Sequence, residues 1–323
     1  MNNLIDKMLG SDNFHVTSHC SPDGDSLGSS AGLCKALKKL GKEVYFVLDD
    51  KIPSNLEFVV EGIDIKSSNE VDTERPYVLV ALDCGDYSRP CCSETVKKGA
   101  SMFVNIDHHI SNDCFGDVNY VDKKASSTSE IVYYILKTME YEQKIDIIGK
   151  DIGTALYTGL ITDTGNFMYS NVYPESFKMA YELLQKGIDK QYIVKRLFQS
   201  DSLDRIKLLA DVLATLEIVE GKIAYIEVTQ NMLIRNNIDN NNTEGLINYA
   251  RDIENIEVGI MFKEKSPGEI KVSFRSKEII DVNEIARKFG GGGHIRAAGC
   301  TIHDSLENAK NKVIEEVVKS FYQ

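Results

Sequence analysis

The fold is decided by the residues Ser18-His19-Cys20-Ser21-Pro22-Asp23-Gly24-Asp25-Ser26, which place one imidazole and two carboxylates within seven positions. A short β-prone segment, 14–17, precedes them, and apolar residues at helical spacing follow over 27–40. Another apolar strand is predicted over 44–48. The order strand, loop, helix, strand predicts a βαβ unit and therefore a parallel sheet. Ligands of such sheets bind beyond the carboxyl ends of the strands, where this loop is expected to lie.

Two later apolar runs end at chemically active residues. The run 77–82 ends at Asp83, and the run 102–106 ends at Asp107-His108-His109. Continuous apolar runs are typical of strands buried on both faces. A helix predicted over about 145–160 leads into Ile161-Thr162-Asp163-Thr164-Gly165. We therefore expect these acidic and imidazole groups to meet the first loop at one edge of the sheet.

A further helix is predicted after Ser127, because Ser127 and Glu130 fit a capping box. The simpler interpretation is a well-capped helix. The alternative is that free amides at this helix start help to hold a phosphate.

The composition favours two domains in a globular chain. The chain has 323 residues, of which 42% are hydrophobic and 27% charged, and single cores stop growing near roughly 250 to 300 residues. We place a parallel-sheet catalytic domain at 1–200, a connecting helix at 201–215 and a smaller α/β substrate-binding domain at 216–323. The predicted fold class is thus α/β, with the active site in the cleft between the domains.

The charge and the cysteines exclude some classes of protein. A net charge of −12 argues against a protein that grips long nucleic acid through its phosphates. Seven cysteines without a repeated spacing indicate reduced thiols in a cytoplasmic protein, and no secretory leader or membrane-spanning run is predicted. The adjacent Cys91 and Cys92 are either ordinary thiols or a redox or metal pair.

Carboxylates gathered at one sheet edge repel each other unless a cation lies among them. Oxygen and imidazole ligands favour Mn²⁺, with Mg²⁺ or Co²⁺ as substitutes. Six ligands are too many for one catalytic ion and suit two ions about 3.5 to 4 Å apart. Taken alone, Asp23-Gly24 is typical of a turn, and an Asp at a strand end is typical of a cap. Only the combination indicates a metal centre.

The second half of the chain contains a glycine-rich stretch, Phe289-Gly290-Gly291-Gly292-Gly293-His294-Ile295-Arg296-Ala297-Ala298-Gly299. Glycines let a ligand approach the backbone amides closely, although a glycine run alone is more typical of a flexible loop. Residues 263–296 carry eight Lys or Arg but five Asp or Glu, against the acidic trend of the chain. We expect this segment to face an anion, with Arg275 binding a substrate phosphate.

The chain resembles the DHH-family phosphoesterases. The stretch from His19 to Ser26 matches the first motif of the family, Asp83 the second, Asp107-His108-His109 the signature, and Asp163 the fourth. The glycine-rich stretch resembles the signature of the accessory C-terminal domain. The likeness covers nearly the whole chain.

The resemblance implies roles for these residues. One ion would be held by His19, Asp23 and Asp83, and the other by Asp25, Asp83, His108 and Asp163. A bridging hydroxide would attack phosphorus, Asp107 would orient an imidazole, and His109 would contact the scissile phosphate. The substrate would be held in the second domain by the following residues: Arg275, Gly291, Gly292, Gly293, His294 and Arg296.

Within the family, the chain lacks the added module of RecJ-type exonucleases, the basic motif of family II pyrophosphatases and the membrane segments of cyclic-dinucleotide phosphodiesterases. It is most similar to the compact nanoRNA exonuclease and pAp phosphatase type. The substrates implied are short oligoribonucleotides, cut to 5′-mononucleotides, and/or pAp, but not duplex nucleic acid. A phosphodiesterase for linear dinucleotides such as pApA, or a non-catalytic nucleotide-binding protein, is the alternative. Family likeness suggests a homodimer in the cytoplasm, away from the membrane.

Overall fold

The computed structural model describes residues 1–239, 243 and 245–322. The chain forms two compact units, Met1–Ser200 and Asp201–Gln323, and each contains a six-stranded sheet. The first sheet is parallel and the second is mixed, so the predicted fold class, a parallel α/β domain followed by a smaller α/β domain, is confirmed. In the part of the chain that is described, no helix has the length and apolar character needed to cross a membrane.

The first unit alternates strands and helices. Its strands are β1 (Asn13–Thr17), β2 (Glu43–Val47), β3 (Ile65–Lys66), β4 (Val78–Leu82), β5 (Met102–Asp107) and β6 (Val118–Val121). Its helices are α1 (Asn2–Leu9), α2 (Gly24–Lys39), α3 (Glu94–Gly99), α4 (Thr128–Gln143), α5 (Lys150–Asp163), α6 (Pro174–Gln185) and α7 (Lys190–Phe198), with a 3-10 helix at Glu57–Val59. The β1, α2 and β2 elements form the expected parallel βαβ unit.

The sheet order, β3-β2-β1-β4-β5-β6, creates a crevice at the start of the chain. The chain runs outward from β1 through β2 to β3, and then returns to the other side of β1 with β4. Such reversals leave a crevice at the carboxyl ends of the two central strands, where ligands bind in open α/β sheets. The loops that follow β1 and β4 therefore lie at this crevice.

The β4 strand is buried on both faces, as its apolar run predicts. Val78, Val80 and Leu82 pack into one apolar cluster, while Leu79 and Ala81 pack into another. Burial on both faces fixes the strand rigidly up to its last residue, and Asp83 follows immediately.

A row of glycines brings α2 against α5. Gly24, Gly28 and Gly32 are four residues apart and so lie on one helical face. A Cβ at Gly28 would lie 2.6 Å from Ala155 O, and one at Gly32 would lie 2.5 Å from Leu156 Cδ2. Small residues here are what allow α5 to approach the loop before α2.

One predicted helix has different bounds. The helix expected over 145–160 begins at Lys150 and ends at Asp163. The Glu140 carboxylate accepts hydrogen bonds from the backbone N–H groups of Ile147 (2.9 Å) and Ile148 (2.8 Å), which holds that segment out of the helix. Gly149 then caps α5 in an extended conformation.

The second unit has the sheet order β11-β12-β10-β9-β8-β7, in which only the β8 and β9 pair is parallel among the described strands. The strands are β7 (Glu217–Val219), β8 (Ile223–Val228), β9 (Val258–Ser266), β10 (Glu269–Ser276), β11 (Gly292–His294) and β12 (Ala297–Ile302). The helices are α8 (Leu203–Leu213), α9 (Gln230–Arg235), α10 (Leu246–Arg251), α11 (Val282–Lys288) and α12 (Leu306–Ser320). Leu208 and Val212 of α8, the helix expected to connect the domains, are buried in this unit's own core.

Candidate metal centre

Asp83 lies at the middle of the site. Its backbone is left-handed, with φ of +59°, and its N–H donates to Ile106 O at 3.0 Å. Non-glycine residues rarely adopt this conformation, although Asp tolerates it better than most. Its buried carboxylate faces three imidazoles: Oδ2 is 3.5 Å from His19 Nε2, and Oδ1 is 3.8 Å from His108 Nε2 and 3.5 Å from His109 Nδ1.

The loop after β1 orients His19 and Asp23 toward each other. His19 Nδ1 donates to Cys20 O at 3.0 Å, which leaves Nε2 to face the carboxylates. Asp23 Oδ1 caps α2 by accepting from the N–H groups of Asp25 (3.1 Å) and Ser26 (2.9 Å). Asp23 Oδ2 is 3.6 Å from His19 Nε2. Asp23 is therefore a helix cap with one oxygen and a candidate ligand with the other.

Asp25 is buried and bound to the start of α4. Its Oδ2 accepts from Thr128 N at 2.7 Å and its Oδ1 from Ser129 N at 2.9 Å. The alternative that free amides at this helix start hold a phosphate is wrong for these two amides, because the Asp25 carboxylate occupies them. The side chain of Ser127 caps α4 by accepting from Glu130 N at 3.0 Å.

The expected capping box is only half present. Glu130 does not return its carboxylate to Ser127 within the described hydrogen bonds. Its Oε2 accepts instead from the Ser126 hydroxyl and from the Ser176 hydroxyl at 3.2 Å. Only the Ser127 half of the capping box is formed. The buried Glu130 carboxylate instead joins Ser126, in the loop before α4, to Ser176 of α6.

His108 and Asp163 face each other from opposite elements. His108 Nδ1 lies 3.3 Å from Ala125 O, and its Nε2 lies 3.5 Å from Asp163 Oδ2. Asp163 is the last residue of α5. Asn171 Nδ2 donates to Ser126 O at 2.9 Å and lies 3.4 Å from Asp163 Oδ2. Asn171 thus joins the loop before α4 to the end of α5.

Asp107 is fully buried and bonds to His109. Its Oδ1 is 2.6 Å from His109 Nδ1, and its Oδ2 accepts from Asn112 Nδ2 at 2.6 Å. Burial opposes ionisation of Asp107, but the bond to His109 outweighs it and lowers the pKa of Asp107. Burial likewise opposes the charge on His109, yet Asp107 raises the pKa of His109.

The carboxylates of the site lie close together, and the pKa values of several groups around them are raised. A bound cation would oppose this shift by stabilising the ionised carboxylates. Burial, together with the Asp83 and Asp163 charges, raises the pKa of Asp25 well above its usual range. Burial, with Asp83, raises the pKa of Asp163 to about 7 against the opposing His108. Burial lowers the pKa of both His19 and His108, but the carboxylates outweigh it and raise these pKa values to about 11 and about 9. Protons on the imidazoles balance the carboxylates where a metal ion would otherwise do so.

The structure brings all six predicted ligands together. Among the described residues, three sets have ligand atoms within 4.8 Å of one another: His19, Asp23 and Asp83; Asp25, His108 and Asp163; Asp83, His108 and His109. Imidazole nitrogen with carboxylate oxygen suits a hard or borderline divalent ion, so the donor set fits the expected metal. Asp83 and His108 each belong to two sets.

Three positioning residues have no sequence signal of their own. Thr128 Oγ1 donates to Asp83 Oδ1 at 3.0 Å across 45 positions, while Asn112 and Asn171 hold Asp107 and Asp163. Gly159 of α5 is a further requirement, because a Cβ there would collide with Ser129 Oγ and lie 2.7 Å from Asp25 Oδ1. These contacts depend on the tertiary fold.

In the second unit, Arg275 and His294 share one row of the sheet. Arg275 pairs with Ala297, and Ala297 pairs with His294 on its other side. Paired residues in antiparallel strands point to the same face, so both side chains leave the sheet on one side. Arg275 Nη1 donates to Phe274 O at 2.9 Å.

The glycines and Arg296 have packing roles. A Cβ at Gly291 would collide with Gly299 O, and Gly293, at φ of +151°, would bring a Cβ to 2.5 Å from Ala297 O. A Cβ at Gly292 meets only Asn283 Oδ1, at 3.8 Å. The Arg296 guanidinium donates to the carbonyls of Ile280 (2.8 Å) and Glu278. Of these residues, only Gly292 is a glycine that neither packing nor φ requires.

Comparison with known proteins gives matches over both units. Residues 13–160 match the model of the DHH family, N-terminal domain, and residues 220–322 match the DHHA1 domain. The chain is 35% identical to the bifunctional oligoribonuclease and PAP phosphatase NrnA of Thermus thermophilus, over 94% of this chain and 89% of that protein. It is 28% identical to the probable bifunctional oligoribonuclease and PAP phosphatase NrnA of Streptococcus mutans, over 94% of each.

A crystal structure of similar architecture is that of an exopolyphosphatase-related protein from Bacteroides fragilis. It is 29% identical, with a TM-score of 0.89, and the match covers 99% of this chain and 97% of the other. The likeness therefore extends over both units.

Proposed function

Because the chain belongs to the DHH family and carries the DHHA1 domain, we propose that it hydrolyses short oligoribonucleotides to 5′-mononucleotides and removes the 3′-phosphate of pAp. The proposal depends on one observation: the three sets of candidate metal ligands are linked, because Asp83 and His108 each belong to two of them. The names of the two relatives support the substrates.

We assign His19, Asp23 and Asp83 to one Mn²⁺ ion, and Asp25, Asp83, His108 and Asp163 to a second. The ions would supply a nucleophile at neutral pH and would neutralise charge that develops on the phosphate. Asp83 faces imidazoles of both sets with its two oxygens, which supports a bridging role. Mg²⁺ or Co²⁺ would suit the same donors.

His109 is assigned to the scissile phosphate. The bond from Asp107 to Nδ1 orients the ring, and Nε2–H would be its donor to a phosphate oxygen. The raised pKa of His109 favours the charged, doubly protonated ring. Asp107, held by Asn112, fixes the orientation of that ring.

The rest of the nucleotide is assigned to the second unit. Arg275 and His294 lie on one face of its sheet, and the guanidinium suits a phosphate. Gly292 is exposed, and we expect a ligand to approach its backbone there. Gly291, Gly293 and Arg296 are expected to shape this segment and hold its backbone.

We propose further that the protein acts in the cytoplasm, away from membranes, as a homodimer that rejects duplex nucleic acid. The net charge of −12 supports the exclusion of duplexes, and seven free cysteines support a reducing compartment. Light scattering in solution will measure the mass of the assembly.

The test is a comparison of three substrates with one preparation of the full chain: an RNA 3-mer, pAp and pApA, each with Mn²⁺. We expect mononucleotides from the 3-mer and phosphate from pAp, and Asp83→Ala should abolish both. Asp113→Ala removes an exposed carboxylate outside the ligand sets and should leave both rates unchanged. Turnover of pApA alone would replace the proposed substrates, and binding without turnover would indicate a non-catalytic protein.

A further inference from the structure

Two cysteines lie beside the candidate ligand His19. His19 and Pro90 form an isolated antiparallel bridge between the loops after β1 and before α3. Two hydrogen bonds flank the bridge, from Cys91 N to Ser18 O (2.7 Å) and from Cys20 N to Arg89 O (3.2 Å). The bridge therefore places Cys20 and Cys91 diagonally across from each other, on either side of the His19 and Pro90 pair.

The register places the two thiols on one side. Side chains alternate across paired extended segments, so Cys20 and Cys91 point away from the side of His19 and Pro90. Burial raises the pKa of the Cys91 thiol to about 12, and the neighbouring Cys20 thiol adds to the rise. Cys92 is one position further along the chain, and its backbone N–H donates to Pro90 O at 2.9 Å. Cys20 is exposed, whereas Cys91 is buried.

We propose that Cys20 and Cys91 are a redox pair that closes to an intramolecular disulfide when hydrogen peroxide reaches the exposed Cys20. The Cys20 sulfur attacks a peroxide oxygen, the O–O bond breaks, and a sulfenic acid and one water form. The Cys91 sulfur then attacks the sulfenic sulfur, the S–O bond breaks, and a second water leaves. The two thiols lose two electrons and two protons, and the peroxide is reduced to two waters.

The disulfide would disturb the metal ligand. Cys20 O accepts the hydrogen bond that orients the His19 ring, and that ring faces Asp23 and Asp83. A shift of Cys20 toward Cys91 would move this carbonyl and turn the ring. Loss of such an orienting contact typically lowers metal affinity by roughly tenfold to a hundredfold. This regulatory effect rests on the proposed metal centre, whereas formation of the disulfide does not.

The experiment treats the full chain with hydrogen peroxide and follows two readouts. Non-reducing peptide mapping should find residues 20 and 91 linked, with the loss of two hydrogen masses. Titration with Mn²⁺ should then show affinity lowered by at least roughly tenfold, and dithiothreitol should restore it. Cys20→Ser and Cys91→Ser should remove both effects, while Cys92→Ser and the exposed Cys114→Ser should keep them.

The outcomes separate the claims. A link from Cys20 to Cys92, or no link, overturns the proposed pair. A link between Cys20 and Cys91 with unchanged Mn²⁺ affinity overturns the regulatory effect. If Cys91→Ser fails to fold, Cys91→Ala and the exposed Cys20→Ser give the same test. A link and an affinity change in a protein that cleaves none of the three substrates would uphold this inference and refute the proposed function.

Discussion

Asp107 Oδ1 lies 2.6 Å from His109 Nδ1, and this pair is the shortest contact between a histidine and a carboxylate among the described ion pairs. Asp107→Asn would leave an amide that holds the ring less firmly and does not favour its charge. We expect kcat to fall by roughly tenfold to a hundredfold with little change in KM. The pH profile of kcat, compared with that of Asp113→Asn, provides the test. A profile identical to that of the parent protein would remove His109 from proton donation.

Metal binding should stabilise the fold, because the assembled ligands exist only in the folded chain. A ligand present at a hundredfold excess over Kd adds about 2.7 kcal/mol. Mn²⁺ should therefore raise Tm, and EDTA should reverse the rise. Asp83→Asn should lose the response, whereas removal of the exposed His303 should retain it. Scanning calorimetry with and without Mn²⁺ measures this. An undiminished rise for Asp83→Asn would refute its bridging role.

Gly159→Ala should destabilise the protein and impair the site. The added Cβ meets Ser129 Oγ and Asp25 Oδ1, both fixed by α4. Overpacking of this kind costs about 1 to 3 kcal/mol. Gly153→Ala, on the same helix, meets only side-chain methyls of Ile188 (3.0 Å) and Leu183 (3.4 Å) and should change the free energy of unfolding by less than about 1 kcal/mol. Urea unfolding of both variants compares them; equal losses would contradict the steric argument.

His15 should make stability depend on pH. It is buried against Tyr77, with ring centroids 4.0 Å apart, and neither ring nitrogen has a hydrogen-bond partner among the described residues. Burial lowers the pKa of His15 from 6.5 to about 4. As the pH falls from 6.5 toward 4, the unfolded chain binds a proton that the folded chain excludes, so stability is lost.

By pH 5 the loss amounts to about 2 kcal/mol, since pH 5 is 1.5 units below the unfolded pKa of 6.5 and each unit is worth about 1.4 kcal/mol. His15→Phe should remove this part of the pH dependence. Urea unfolding in EDTA at pH 5 and pH 8 measures it for both proteins. If the free energy of unfolding differs between pH 5 and pH 8 by the same amount in both proteins, other groups cause the acid sensitivity.

Arg275→Ala should mainly raise KM. A charge-assisted hydrogen bond is worth about 1.5 to 3 kcal/mol, which corresponds to roughly tenfold or more in KM. Lys271→Ala removes a positive charge from an exposed position of the same strand and is the matched control. Steady-state kinetics with the RNA 3-mer distinguish them. Equal KM values for Arg275→Ala and the parent would remove Arg275 from the substrate site.

The sequence was most informative where strands are buried on both faces. The apolar run that ends at Asp83 predicts a strand buried on both faces, and β4 packs one face into each of two apolar clusters. The edge strand Val118–Val121 was not predicted, because its four residues are only partly buried and lack a continuous apolar run. The start of α5 was also missed, since it depends on the distant Glu140 carboxylate.

The candidate ligands could be predicted because each ends a strand or helix, but their supports could not. Thr128 reaches Asp83 only once β4 and α4 are packed. The spacing of Gly24, Gly28 and Gly32 was a signal available in the sequence, yet it predicts a close helix contact without naming the partner. The order of the strands, on which the crevice depends, has no local signature.

All members of the three ligand sets come from residues 19–163, whereas the glycine-rich stretch and Arg275 belong to the second unit. Under the proposed function, the residues that cleave the phosphoester lie in the first unit. The residues that select the nucleotide lie in the second, and separate segments of the gene encode the two. Mutations in the second unit can then change the substrate specificity without altering the residues of the metal centre. Such a division would let the same catalytic unit act on different substrates in diverging lineages.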